Sequence, residues 1–477
     1  MYFFDSFIIT QRTFYMVLGF IVLFLGTILN FALAGLFQKK SQKFSNIVTI
    51  STLIISAICL LPFVLGFLNP HSVSSIYFFN KNIAFGGLEI LLCIISQITV
   101  LAAFLISKKQ LSKMRFKQHY FNSLYLCSAF SLNFLIISKG FIPFILSLEI
   151  LSICTFYIMQ ASKTRADFYS TYKYISFSLY ATIAMIFAYA LSCGFSINSG
   201  ILPVIAKGIF ISALLAKGGF SVIFTQTKEN AIKGLYPAFS FINLVILYAY
   251  TLALHKIIHE FFETGSAIQI FFGILLPICA IIGALKAFRA KSFQDFIYLT
   301  NSTNYCIVAF LLFIQNTQVH TGAILLLINA LIINTGLLSA CEILSANKKT
   351  NVTFEDFRGI CYTNQLYCNL LSIAIFITVS AIPSGIFASR FYINAALAQT
   401  GLWSSIITFI FSVVYTILII AALNFISVFY KKPDNIKKDI YKKRTRLNYS
   451  ILFVSIVLSL AMLLGSSKIA TLLIKIL

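Results

Sequence analysis

Ionisable side chains stand inside long apolar stretches of this sequence: Glu149 in FIPFILSLEILSICTFYIM, Lys173 in TYKYISFSLY, Lys217 in ALLAKGGFSV and Arg390 in AIPSGIFASRFY. An ionisable group at the centre of a membrane helix costs about 2.5 to 3.5 kcal/mol on insertion scales, so such groups mark a buried partner or a hydrated path. A carboxylate and amines at that depth suit proton transfer. A nearby carboxylate favours the charged amine, and its separation or neutralisation favours release of the proton. Arg390 differs, because a guanidinium keeps its proton at any physiological pH. The competing reading is a Glu149–Lys173 pair that only fixes packing, since the two stretches are neighbours in the chain. Of the other ionisable groups, Lys207 stands within a stretch, whereas Glu89 and Glu342 lie near the ends, where a charge reaches the interface. Lys173 lies nearer an end of its stretch and is also placed to snorkel, as are Lys468 and Lys475 from the last stretch.

The elements that must position these groups are membrane helices. Only 10% of the residues are charged against 59% hydrophobic, with a mean hydropathy of +0.93, whereas soluble domains carry about 25% charged residues. Windows of roughly 20 apolar residues give about fourteen spans, at 14–37, 47–68, 84–107, 121–138, 140–160, 172–194, 200–226, 236–257, 267–288, 293–315, 320–345, 364–398, 403–430 and 449–475. The twelfth is too long for one plain helix.

The net charge of +23 does not point to nucleic acid, because the basic residues alternate by loop. They crowd the loops after spans 1, 3, 5, 7, 9, 11 and 13, the last carrying Lys431, Lys432, Lys437, Lys438, Lys442, Lys443, Arg444 and Arg446, while the other loops hold Lys81, Lys139 and Lys256. This is the positive-inside pattern, with both termini on the outer side. The start lacks the features of a cleaved signal. The ten cysteines are scattered and form no C-x-x-C pair, which argues against zinc, iron–sulfur and disulfide frameworks. His255 and His259 share a helical face at a metal-ligand spacing, but no third ligand converges on them, and they read as a solvated interfacial face. No metal or cofactor site is expected.

Backbone breakers accompany two of the buried bases. Lys217 precedes Gly218 and Gly219, and Arg390 follows Pro383 and Gly385. A base beside a broken span, once in each half, is the pattern of inverted-repeat transporters, whose ion sites form at discontinuous helices. The expectation is an all-α polytopic membrane protein of about fourteen helices in one membrane domain, with an inverted repeat of helices 4–8 and 9–13 and discontinuous helices 7 and 12. Its expected parts are N-terminal helices (1–120), a first repeat (121–260), a second repeat (261–430), and a basic loop with a C-terminal helix (431–477).

This constellation resembles the antiporter-like subunits of respiratory complex I over nearly the whole chain, and most closely the subunit-N branch of bacterial NADH:quinone oxidoreductase, the counterpart of mitochondrial subunit 2. The resemblance places Glu149 on the family's helix-5 glutamate, Lys173 on its helix-6 lysine, Lys217 in AKGGFS on its helix-7 lysine, and Arg390 on its terminal helix-12 base. GALKAFRAKSFQDFIYLTNS is a weaker echo of the helix 9–10 segment. The sequence also departs from the family: Val222, Ile223 and Phe224 replace its Pro-Phe-His, and the region of Leu247 lacks the central helix-8 lysine.

The resemblance implies a proton-translocating membrane-arm subunit in which quinone reduction elsewhere drives changes along Glu149, Lys173, Lys217 and Arg390. It also implies that this chain holds no cofactor, with NADH, FMN, iron–sulfur clusters and quinone bound by other subunits. Partners would be other membrane-arm subunits and the lipid bilayer, in a bacterial inner membrane or alternatively the mitochondrial one. Two other readings stay open: a cation/proton antiporter subunit of a multi-subunit exchanger, and a structural membrane-arm subunit with a degenerate channel. The absent helix-8 lysine supports the last; the retained Glu149, Lys173 and Lys217 oppose it.

Overall fold

The computed structural model describes residues 2–36, 42–67, 76–78, 82–111, 118–160, 165–194, 201–219, 236–258, 266–314, 316–345, 353–399, 402–432 and 446–476. Val222, Ile223, Phe224, His259 and the basic run from Lys437 to Arg444 lie outside them.

The chain is an all-α polytopic membrane protein. Its helices are α1 Tyr2–Leu36, α2 Gln42–Phe67, α3 Gly87–Leu111, α4 Gln118–Ile137, α5 Phe141–Met159, α6 Arg165–Gly194 and α7 Ile201–Gly218. There follow α8, running from Tyr236–Phe241 through Ile242–Ile246 to Leu247–Lys256, then α9 Ser266–Phe288, α10 Phe293–Leu312 and α11 Thr317–Ser345. The split α12 comprises Gln365–Thr378 and Gly385–Ala398, and α13 Leu402–Phe429 and α14 Arg446–Ile476 complete the series. Every expected apolar window falls on one of these helices. The limits differ most at α1, which begins at Tyr2 rather than near residue 14; α7 ends at Gly218, and the part of its expected window from 220 to 226 lies outside the described residues.

Among the described residues, 10 helices are long and apolar enough to cross a membrane, and Val17–Leu33 and Gln365–Thr378 are shorter apolar helices. α10 is not among them, and the reason is physical. It carries the polar run Thr300-Asn301-Ser302-Thr303-Asn304-Tyr305, and all of these side chains are buried inside the protein, where no lipid contact demands apolar residues.

The chain divides into two compact units, Met1–Ile175 with Lys475–Leu477, and Ser176–Ile474. In the first, α1 packs on α2 and α4, and α4 packs on α3 and α5. Buried amides and hydroxyls fix these crossings: Ser45 Oγ donates to Asn30 Oδ1 at 2.7 Å, and Asn122 Nδ2 donates to Ser45 Oγ at 2.7 Å. Short strands β1 Ile76–Phe78 and β2 Ile83–Phe85 pair antiparallel, with Ile76 opposite Phe85. Glu89 forms an ion pair with Lys139 at 3.7 Å, in keeping with a structural role near a helix end.

In the second unit α10 lies against α8, α9 and α11, and α11 also packs on the second half of α12. Every residue of α10 except Asp295 is buried, and Leu247–Lys256 of α8 is buried apart from half-buried His255. A helix enclosed on all sides belongs to a core. Ser292 caps α10 by accepting from the Asp295 backbone N–H at 3.0 Å, which satisfies one of the donors that a helix start leaves open.

One sequence expectation is corrected here. Glu342 does not reach an interface: it is 1% exposed and accepts a hydrogen bond from Asn448 Nδ2, so it joins α11 to the start of α14.

Candidate functional site

Among the described residues of the second unit, helical backbone ends or is interrupted at three places that bear on the candidate residues. At the end of α7, Gly219 has φ 75°, a left-handed conformation that favours glycine, and its N–H bonds the Ala216 carbonyl at 3.1 Å. This is the interruption expected after Lys217. In α8, residues Ile242–Ile246 form a π-helical turn, in which the Leu247 N–H reaches back to the Ile242 carbonyl. Such wide turns occur often at functional sites. In α12 the first half ends where Ser380 takes φ 63°; Ala381 N–H bonds the Phe376 carbonyl at 2.8 Å and Ser380 N–H bonds that of Ile377 at 2.9 Å. That pair of bonds is a Schellman termination. Pro383, lacking an N–H, keeps the halves apart until Gly385 restarts the helix.

Lys217 stands in the last turn of α7 and is 1% exposed. Its Nζ donates to Thr182 Oγ1 on α6 at 2.6 Å. The helix C-terminus, with its partial negative charge, is a favourable place for an ammonium.

Arg390, in the second half of α12, is 7% exposed. Its Nη1 donates to the Val379 carbonyl at 2.9 Å and its Nη2 to Asn304 Oδ1 at 3.4 Å, while its Cζ lies 3.0 Å from the centroid of the Tyr415 ring on α13. The guanidinium thus caps the carbonyl end of the first half of α12 and rests on an aromatic face. Asn329 on α11 donates to Ser389 Oγ at 3.0 Å beside it.

Glu149 and Lys173 belong to the first unit. Glu149 is half-buried in the middle of α5, near enough to the enclosed Tyr174 for its charge to act there. Lys173 is exposed, and its Nζ sits 4.6 Å from the centroid of the Tyr169 ring, one turn earlier on α6. The structure therefore places the Lys173 ammonium on a tyrosine face rather than on Glu149. It is the site candidate whose surroundings differ most from a buried relay.

The groups that a search for charges misses are uncharged. α10, buried except at Asp295, touches all three places. Tyr298 OH and Ser302 Oγ each donate to the Gly219 carbonyl at 3.4 Å, Asn301 Nδ2 donates to Asn243 Oδ1 in the π-turn at 3.3 Å, and Asn304 receives Arg390. Asn243 in turn donates to the Phe239 carbonyl at 2.9 Å. The signal for this hub is the polar run itself, six residues without an aliphatic side chain in an otherwise apolar span. Lys256, read from the sequence as a loop residue, is also buried, at 5% exposure. Among the described residues no group of three or more His, Cys, Asp or Glu side chains is arranged to hold a metal ion.

No protein-family model matches the sequence, and no curated protein matches it either. Solved structures do match. A chain of the respiratory complex I from Thermus thermophilus with bound aureothin aligns with a TM-score of 0.77 at 15% identity, covering 95% of this chain and 98% of that one. A chain of the membrane-bound sulfane sulfur reductase, an archaeal respiratory membrane complex, aligns with a TM-score of 0.79 at 15% identity, covering 98% and 96%. A chain of the Mrp complex from Dietzia sp. DQ12-45-1b aligns with a TM-score of 0.83 at 12% identity, covering 97% of each. At these identities the likeness is one of fold, and it extends over essentially the whole chain.

Proposed function

We propose that this chain is a membrane-arm, proton-translocating subunit of an NADH:quinone oxidoreductase. The observation that carries the reading is Lys217: an enclosed amine, hydrogen-bonded to Thr182 Oγ1 at 2.6 Å, in the last turn of α7. Enclosure makes its proton sensitive to the charges and water around it. Arg390 holds a constant positive charge at the break in α12 and serves as a fixed gate rather than a relay. Glu149 is the acidic member of the set, and Lys173 is an exposed charge on α6. Redox chemistry and its cofactors belong to other subunits, and the complex sits in an inner membrane.

The likeness to a chain of the Mrp complex favours a second reading, a cation/proton antiporter subunit of a multi-subunit exchanger. One experiment separates the two. The complex containing this chain is extracted from its native membrane, reconstituted in vesicles and driven first with NADH and quinone, then with a sodium gradient alone. Proton movement tied to NADH oxidation supports the first reading. Proton movement driven by sodium without NADH supports the second, and no movement under either condition leaves a structural subunit.

A further inference from the structure

We propose that Cys361 and Cys368 form a peroxide-sensitive thiol pair, in which Cys361 is oxidised first and Cys368 resolves it to a disulfide. The pair stands apart from Lys217 and Arg390 and does not depend on what the complex moves.

A spacing of seven residues hides this pair in the sequence. In one continuous helix seven residues rise about 10.5 Å, beyond the Cα separation of about 7 Å that a disulfide tolerates. The helix here is not continuous. Ile360–Thr363 forms a single turn, Asn364 leaves helical geometry at φ −152° and ψ 84°, and Gln365 starts the first half of α12. The change of direction at Asn364 sets the two cysteines side by side, and their thiols are hydrogen-bonded to each other.

Neighbouring side chains hold the junction. Asn364 Oδ1 accepts from the Tyr367 N–H at 3.1 Å, and its Nδ2 donates to the Tyr449 hydroxyl on α14 at 2.9 Å. Tyr430, just past α13, touches both segments. Its carbonyl accepts from the Tyr362 hydroxyl at 3.3 Å, and its side chain is hydrogen-bonded to Cys368.

Exposure divides the roles. Cys361 is half-buried at a surface where Tyr362 and Tyr430 are exposed, while Cys368 is 0% exposed, so an oxidant arriving in water meets Cys361 first. An accessible thiol with a resolving thiol beside it is the arrangement of redox-sensing cysteines. Arg358, Lys431 and Lys432 belong to the basic loops, which puts this end of α12 on the inner side, where cellular reductants keep thiols reduced.

The chemistry balances with hydrogen peroxide as the oxidant. Cys361, as thiolate, attacks one peroxide oxygen; an S–O bond forms, the O–O bond breaks, and the departing hydroxide takes up the thiol proton as water. Cys368 then attacks the sulfenic sulfur, the S–S bond forms as the S–O bond breaks, and a second water carries off the Cys368 proton. The two sulfurs lose two electrons and the peroxide gains them. The bridge ties the Ile360–Thr363 turn to the half of α12 whose far end Arg390 caps.

The test uses the native complex in its membrane, exposed to hydrogen peroxide, then unfolded in N-ethylmaleimide and cut with trypsin. The fragment 359–390 holds Cys361 and Cys368 and no other cysteine. After peroxide it is expected to be two hydrogens lighter and to take no maleimide, and dithiothreitol before blocking is expected to restore two maleimides. Cys59, half-buried like Cys361, serves as the control and is expected to remain a thiol at the same dose. Cys368→Ser is expected to leave Cys361 as a sulfenic acid that dimedone labels, and Cys361→Ser to leave Cys368 reduced. A native fragment that still takes two maleimides overturns the proposal, as does oxidation of Cys59 at the same rate or a bridge from Cys361 to a cysteine outside the fragment. Oxidation of Cys368 at the native rate in the Cys361→Ser complex overturns the assigned order. Should either variant fail to assemble, the native fragment alone decides.

Discussion

Arg390 Nη1 donates to the Val379 carbonyl at 2.9 Å, so one side chain from the second half of α12 closes the carbonyl end of the first half. A helix end leaves carbonyls without internal partners, and a charged donor there is worth about 1.5 to 3 kcal/mol. Arg390→Ala is expected to remove that bond and the one to Asn304, lowering the thermal unfolding temperature of the purified complex. Arg390→Lys keeps the charge without the planar fork and is expected to fall between the two. Equal melting of all three complexes would contradict the capping role.

The same break depends on the absence of a side chain at residue 385. A Cβ on Gly385 would overlap the Asn329 side chain and stand 2.9 Å from Met462 Cβ. Overpacking of this kind costs about 1 to 3 kcal/mol, so Gly385→Ala is expected to reduce thermal stability and the yield of assembled complex. A variant that melts with the native complex would show that α14 yields freely at this contact.

Glu342 and Asn448 join α11 to α14 inside the protein. Glu342→Ala leaves the Asn448 amide without this acceptor, at a cost of about 1 to 3 kcal/mol, whereas Glu342→Gln retains an acceptor oxygen. Limited proteolysis of the α13–α14 connection is expected to be faster in the alanine variant and near native in the glutamine variant. Equal rates in all three would reject this tie.

Lys173 is exposed over Tyr169 rather than enclosed, and an exposed cation on a tyrosine contributes only about 0.5 to 1 kcal/mol. Lys173→Ala is therefore expected to leave both assembly and the proton yield per NADH close to native. A loss as deep as that of Lys217→Ala would place Lys173 on the working path despite its exposure.

Much of this arrangement was legible in the sequence because lipid imposes a strong rule. A helix that meets hydrocarbon needs a long apolar run, and so each window from 14–37 to 449–475 landed on a helix. The breaks were legible for a related reason: Gly219 and Pro383 have backbone properties that few neighbours can override. Charges such as Lys217 stood out against an apolar background. Asn243, Asn301 and Asn304 did not, since uncharged amides shift the mean hydropathy of a window only slightly and show their importance only when burial and partners are known. Glu342 and Lys256 were misplaced for the opposite reason. Distance from a helix end measures depth in the membrane, but it says nothing of enclosure by neighbouring helices. Lys173, nearer the end of its stretch, faces outward over Tyr169.

The central claim is that the enclosed amine of Lys217 carries the proton that this chain moves. Its most direct test is NADH-driven proton uptake into vesicles, normalised to NADH oxidised, for native complex and for Lys217→Ala with assembly verified by subunit content. The account predicts a marked fall in protons moved per NADH, or in turnover coupled to pumping. An assembled Lys217→Ala complex with native pumping and native turnover would contradict it, and would leave this chain a structural part of its complex.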